Sequence, residues 1–242
     1  MLSEKPWNLQ RLMRFLLCLL GCFSFMLCLY GVAQHFFGPN ADENSPVAVV
    51  LNSLALDGSI LMAVGLFLVL EQFTWADAFG FNSPQPARAL TWGALTGIAC
   101  APIGQEMNQL IAQALEHWHV EAAKEQAVES LQNAPPGFVR IYLIVFAIVI
   151  APVAEETLFR GILYPAIRRL GFPRVALWGT SLLFALIHYN LTAFLPLTLL
   201  AAALALLYEK TNNLLSCIIA HSLFNLAGVT LLYFYNGAAP GH

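Results

Sequence analysis

Long apolar runs alternate with short polar interruptions along the chain, at intervals that suit membrane-crossing helices. Seven such runs stand near residues 13–33, 47–70, 89–113, 139–164, 174–190, 193–209 and 213–235. A bilayer core about 30 Å thick needs roughly 20 apolar residues of helix. Each run approaches that length, the fifth and sixth being short. The expected fold is all-α, a polytopic transmembrane helix bundle of about seven spans. Span three weakens in its second half, where Gln105, Glu106, Asn108 and Gln109 crowd together. The one long polar stretch, Glu116 to Gly137, ends in Pro135-Pro136-Gly137. It fits an amphipathic helix at a membrane surface, with Glu116, Glu121, Lys124, Glu125 and Glu129 beside Trp118 and Val120. No internal repeat or low-complexity tract divides the chain, and one membrane domain accounts for it.

Composition sets the class. Hydrophobic residues make up 59% and charged residues 10%, and the mean hydropathy is +0.68. A soluble domain carries roughly 25% charged residues, so this is an integral membrane protein. A net charge of -3 gives no reason to expect nucleic acid as a partner. Cys18, Cys22 and Cys28 share one apolar segment, and Cys100 and Cys217 lie in two others. Their spacing fits neither a zinc site nor a disulfide framework, so all five are expected to be buried small apolar residues.

Basic residues orient the bundle. Lys5, Arg11 and Arg14 precede span one, Arg88 sits between two and three, Arg168, Arg169 and Arg174 between four and five, and Lys210 between six and seven. With seven spans these fall on one face, leaving Lys124 and Arg140 on the other, a positive-inside pattern. The N-terminus is expected in the cytoplasm and the C-terminus outside, as for a bacterial inner-membrane protein. A competing reading makes residues 1–33 a signal peptide, because Gly31-Val32-Ala33 resembles a cleavage site, although the apolar run is long for one.

Charge inside the fourth span raises the chemical question. "APVAEETLFRGILYP", residues 151–165, carries Glu155, Glu156 and Arg160. A charge at the centre of a membrane helix costs about 2.5–3.5 kcal/mol, so three unpaired ones cost on the order of 8–10 kcal/mol. Glu156 and Arg160 are four apart and can pair on one helix face. Glu155 is rotated by about 100° and is left for other work. An ion-paired helix end is the bland alternative. Two later spans add polar groups at the same spacing: His188, four residues after Phe184 and expected on its helix face in "LLFALIHYN", and His221 with Asn225 in "IIAHSLFNLAG". An interfacial histidine and an interhelical hydrogen bond would explain them singly. Together they form one sensible polar cluster on three spans.

In order and spacing, Glu155-Glu156-Thr157-Leu158-Phe159-Arg160 (EExxxR), Phe184 to His188 (FxxxH) and His221 to Asn225 (HxxxN) resemble a known signature. It is that of the CAAX protease and bacteriocin-processing (CPBP, or Abi) family, the type II CAAX prenyl endopeptidase-like intramembrane glutamic proteases. The resemblance covers roughly 139–235 and divides the chain into N-terminal helices with a polar loop, 1–138, and a catalytic helical core, 139–242. It implies a peptidase acting near the C-terminus of a lipidated or membrane-associated protein, with a peptide or protein substrate and no cofactor or metal. Glu155 would be the general base activating water, with His188 helping to orient it, and His221 and Asn225 would donate to the oxyanion. Glu156 and Arg160 would brace the helix, and Phe184 would pack. Arg140 to Glu155 is fifteen residues, or about 22 Å of helix, which places Glu155 in the inner half of the core and suggests a cavity opening to the cytoplasm.

Three other readings fit the same residues. Glu155, His188 and His221 could hold zinc in a metalloprotease, although no HExxH pair is present. A catalytically silent scaffold or bacteriocin-immunity protein could share the fold. A transporter could relay protons through the same groups, but the repeats and broken helices of that class are missing. His117 and His119 read as surface residues, and Asn190-Leu191-Thr192 fits a glycosylation sequon of low specificity.

Overall fold

The computed structural model describes residues 6–37, 50–51, 53–82, 85–120 and 126–237. Among these residues the chain is all-α. The helices are α1 (Leu9–Phe37), α2 (Leu54–Glu71), α3 (Trp75–Phe79), α4 (Pro86–His117), α5 (Gln126–Asn133), α6 (Phe138–Arg169), α7 (Pro173–Leu186), α8 (Leu191–Thr211) and α9 (Leu214–Gly237). Five of them, α1, α2, α6, α8 and α9, are long and apolar enough to cross a membrane. Leu17, Leu20, Val69 and Ile98 lie exposed, as side chains facing lipid do.

Each expected span has a helical counterpart, and the differences are physical. The expected third span is one helix of 32 residues that runs through the Gln105–Gln109 polar cluster, with Gln85 before it and Pro86 in its first turn. The fifth is a helix of 14 residues, about 21 Å long. It begins at Pro173, whose missing N–H suits a first turn. Residues 47–49 of the second span and Glu121, Lys124 and Glu125 of the amphipathic stretch lie outside the described residues. What remains of that stretch, α5, buries Leu131, with Ala134 just beyond it, so it packs against the bundle. The short α3 was not foreseen. Thr74 caps it, its hydroxyl accepting from the Asp77 N–H at 3.2 Å.

Small residues set the central crossing. On α4, Gly93 and Gly97 are four apart and face α9. A Cβ on Gly93 would lie 2.6 Å from the Ser216 carbonyl oxygen, and one on Gly97 2.7 Å from that of Ala220. Only glycine allows backbones this close in lipid, where packing rather than water drives helices together. The crossing fixes the height of His221, next in the chain to Ala220. Polar ties join the basic ends of the helices. Glu71 accepts from Arg11 Nε and Arg14 Nη1, each at 2.8 Å. Glu209 binds Arg168 and Tyr164, and Lys210 Nζ lies 3.2 Å from the centre of the Trp92 ring.

Among the cysteines, Cys22 and Cys217 are buried and Cys18 and Cys100 half-buried, but Cys28 is exposed on the lipid-facing side of α1. The expectation of five buried cysteines is corrected at that position. Asn190, the sequon asparagine, is buried. Its Oδ1 caps α8 by accepting from Ala193 N at 3.0 Å and Thr192 Oγ1 at 2.7 Å. That pattern is a helix cap. His117 and His119 are exposed, as expected.

Candidate active site

Glu155 and Glu156 occupy a short α-helical stretch of α6, Ala151–Glu156, between two π-helical segments, Phe146–Ile150 and Thr157–Leu163. Such π turns are rare and gather at functional sites. Two prolines shape this one. The Ala151 N–H bonds the Phe146 carbonyl, five residues back. One step on, the same register needs an N–H at Pro152, which has none. The Ala147 carbonyl takes Asn225 Nδ2 from α9 instead, at 2.8 Å. Pro165 has no N–H for the Gly161 carbonyl four residues back, and Trp7 Nε1 fills that place at 2.7 Å. Side chains from outside α6 thus satisfy both gaps.

Glu156 is fully buried, and its Oε1 accepts from two donors. Arg160 Nη1 donates at 2.7 Å and His221 Nδ1 at 2.9 Å. A carboxylate only accepts, so this contact places a proton on His221 Nδ1. The other ring nitrogen, Nε2, lies 3.8 Å from Glu155 Oε2. Arg160 is buried too and spends a second nitrogen, Nη2, on the Ala201 carbonyl of α8 at 2.9 Å. The pairing of Glu156 with Arg160 follows the spacing read from sequence. The role of Glu156 as anchor for His221 does not appear there.

Phe184 fills the centre of the cluster and is fully buried. Its ring stands 4.9 Å from the His188 ring, 5.6 Å from His221 and 5.2 Å from Phe159, with the Arg160 guanidinium 4.8 Å over its face. His188 does not share a helix face with Phe184, because α7 ends at Leu186. It sits in the turn beyond, where its Nδ1 donates to the Phe184 carbonyl at 2.7 Å. The short helix settles the depth: Glu155 is 14 residues from Arg169, and α7 has 14 residues from Pro173. At α-helical rise 14 residues are about 21 Å, so the two stretches are alike in length.

The cavity beside the cluster, about 360 Å³, is lined by Gln105, Asn108, Asn225, Leu232 and neighbours, towards the ends of α4 and α9 remote from the basic residues. The reason is packing: Gly93, Gly97 and their partners close the basic half of the α4–α9 crossing. Among the described residues no group of three His, Cys, Asp or Glu side chains is disposed to hold a metal.

Asp57 was missed in sequence. It is buried in the π-helical turn Leu54–Gly58 of α2, which packs on the 151–156 turn, and its Oδ1 has no hydrogen-bond partner among the described residues. A lone carboxyl within an apolar span was the available signal.

Known proteins resemble the same segment. Residues 137–227 match the Rce1-like family model, described as type II CAAX prenyl endopeptidase Rce1-like. The UPF0177 protein YxdF of Lactococcus lactis subsp. lactis is 36% identical over 81 residues, 33% of this chain and 44% of that protein. The uncharacterized protein YpbD of Bacillus subtilis is 34% identical over 82 residues, 32% of this chain and 39% of that protein. The matches span less than half the length of either relative. No solved structure matches the chain. The segment matched by the Rce1-like model holds Glu155, Glu156, Arg160, Phe184, His188, His221 and Asn225.

Proposed function

We propose that this protein is an intramembrane endopeptidase of glutamic type, cutting a peptide bond near the C-terminus of a lipidated or membrane-associated protein. One observation carries the reading. Two neighbouring glutamates are separated in role by a single histidine, with Glu156 locked between Arg160 and His221 and Glu155 left on the more open side.

Glu155 takes a proton from water as the oxygen attacks the scissile carbonyl carbon. A positioned base of this kind contributes about 10²–10⁴-fold. Charge develops on the carbonyl oxygen. His221, anchored at Nδ1 by Glu156, donates to it from Nε2 in the doubly protonated form, and Asn225 donates from the amide hydrogen that Ala147 leaves free. Donors set in advance for such an oxyanion are worth about 2.7–4 kcal/mol each. His188, held by the Phe184 carbonyl, turns its other nitrogen to the attacking water. Collapse of the intermediate breaks the C–N bond, and Glu155 returns the proton to the departing amine. The whole chain acts as one membrane domain, in which residues 1–138 supply Trp7 and α4 to the core at 139–242.

The test is a comparison of the C-termini of membrane proteins in cells carrying the wild type or Glu155→Gln. Shortened C-termini present only with the wild type are expected. Identical sets of C-termini would reject the peptidase reading.

A further inference from the structure

The cavity beside Asn225 has an unusual wall. Gln105, Asn108 and Gln109 stand at i, i+3 and i+4 of α4, so they share a face, and with Asn225 they bring four carboxamides to one space of about 360 Å³. The remaining lining is largely apolar, and none of the lining residues is charged. Asn108 Oδ1 is buried without a hydrogen-bond partner among the described residues. A buried polar atom without a partner is costly, so a face of this kind calls for an occupant.

The chemistry of the wall selects one. A carboxamide carries two N–H donors and a carbonyl acceptor and no charge. An extended peptide presents N–H and C=O groups in alternation, and in hydrocarbon every one of them must be satisfied. A phosphate headgroup would call for cations, which the wall lacks, and an acyl chain would leave the amides unmet. The volume lies within the usual range for ligand sites, about 300–1,000 Å³. Asn225 lines the cavity and stands one helical turn from His221 on α9, so a chain in the cavity leads past it towards the glutamates.

We infer that this cavity binds the unwound, extended backbone of the substrate next to the scissile bond, with Gln105, Asn108 and Gln109 of α4 as its hydrogen-bonding wall. The inference rests on the peptidase reading and adds residues that lie outside the Rce1-like segment.

The full chain carrying Glu155→Gln, reconstituted in vesicles, is exposed to a pool of apolar decapeptides bearing one benzophenone. A parallel sample receives the same pool with N-methylated backbone amides. On irradiation, crosslinks should map to 105–109 and 228–232. They should fall about tenfold or more on N-methylation and in Gln105→Leu/Asn108→Leu, the loss expected from two ordinary hydrogen bonds. Gly228→Leu keeps the amides and occupies the space, since a Cβ there makes only an ordinary contact, 3.4 Å from Gln105 Nε2. It should show the same loss, which guards against misfolding of the double variant. Crosslinks that ignore N-methylation, or that map elsewhere, overturn the inference. Cleavage at the wild-type rate by a Gln105→Leu/Asn108→Leu chain with Glu155 restored overturns it while sparing the peptidase reading. Cavity labelling together with no cleavage of the pool by the wild type does the reverse.

Discussion

His221 stands between two glutamates adjacent in sequence: its Nδ1 donates to Glu156 Oε1 at 2.9 Å, and its Nε2 lies 3.8 Å from Glu155 Oε2. The Glu156 side chain is 0% exposed and that of Glu155 16%. Neighbours in the chain therefore have different environments and, on the proposed mechanism, different work.

Replacing each glutamate should separate those tasks. Glu155→Gln keeps shape and removes the base, so turnover should fall by about 10²–10⁴-fold while the protein still accumulates in the membrane. Glu156→Gln leaves the buried Arg160 without its counter-charge and weakens the hold on His221. Breaking a buried pair costs about 3–5 kcal/mol, so folded yield should drop along with activity. Membrane yield and turnover per folded molecule distinguish the two. Wild-type turnover in Glu155→Gln would remove Glu155 as the base.

Asn225 serves both the helix and the proposed oxyanion, and a double-mutant cycle can divide these uses. Asn225→Ala leaves the half-buried Ala147 carbonyl unmet, costing up to about 1–3 kcal/mol of stability, and should also slow turnover by about 10²–10³-fold. Pro152→Ala supplies a backbone N–H in register with that carbonyl. In its background Asn225→Ala should lose much less stability and the same turnover. Additive stability losses would show that the two positions do not share the carbonyl.

Metal dependence offers a sharp contrast with the zinc reading. His221 and His188 each commit Nδ1 to a protein acceptor, and Glu156 is taken by Arg160 and His221. Dialysis against a strong chelator is expected to leave activity unchanged, with well under one zinc per chain by metal analysis. Stoichiometric zinc whose removal abolishes cleavage and whose return restores it would establish a metalloprotease.

Orientation and site geometry can be read with cysteines in a cysteine-free background. Arg169, Lys210 and Asn133 are all exposed. Cysteines at 169 and 210 should react with an impermeant thiol reagent only in opened cells, and one at 133 in intact cells. A cysteine pair replacing Glu155 and His221 should crosslink. Labelling of position 169 from outside would reverse the topology.

The periodic apolar runs made the helices legible, because lipid demands long uninterrupted hydrophobic segments. The Glu156–Arg160 pair was legible for the same reason that i, i+4 geometry is local. Contacts that close over long separations were not. Nothing near Trp7 announces that it will satisfy the Gly161 carbonyl, 154 residues on, and nothing near Asn225 points to Ala147. The place of the cavity was not legible, because it depends on where Gly93 and Gly97 let two backbones touch. Gln105 and Asn108 looked like a flaw in a span because their use lies in a space formed by other helices.

The brevity of α7 has a consequence for the lipid itself. At 14 residues the helix falls about 9 Å short of a 30 Å hydrocarbon core. Tyr189, in the turn that follows, is 89% exposed with its backbone in the left-handed region. Tyrosine is favoured at the level of the headgroups, so the leaflet on that side should dip to meet it. Mismatch is relieved by such thinning at a fraction of a kcal/mol per Å. A bilayer thinned in this way around His188 is under elastic strain, which makes acyl-chain length a physical variable for the protein. Thicker membranes pull on the turn that carries His188, and thinner ones relax it.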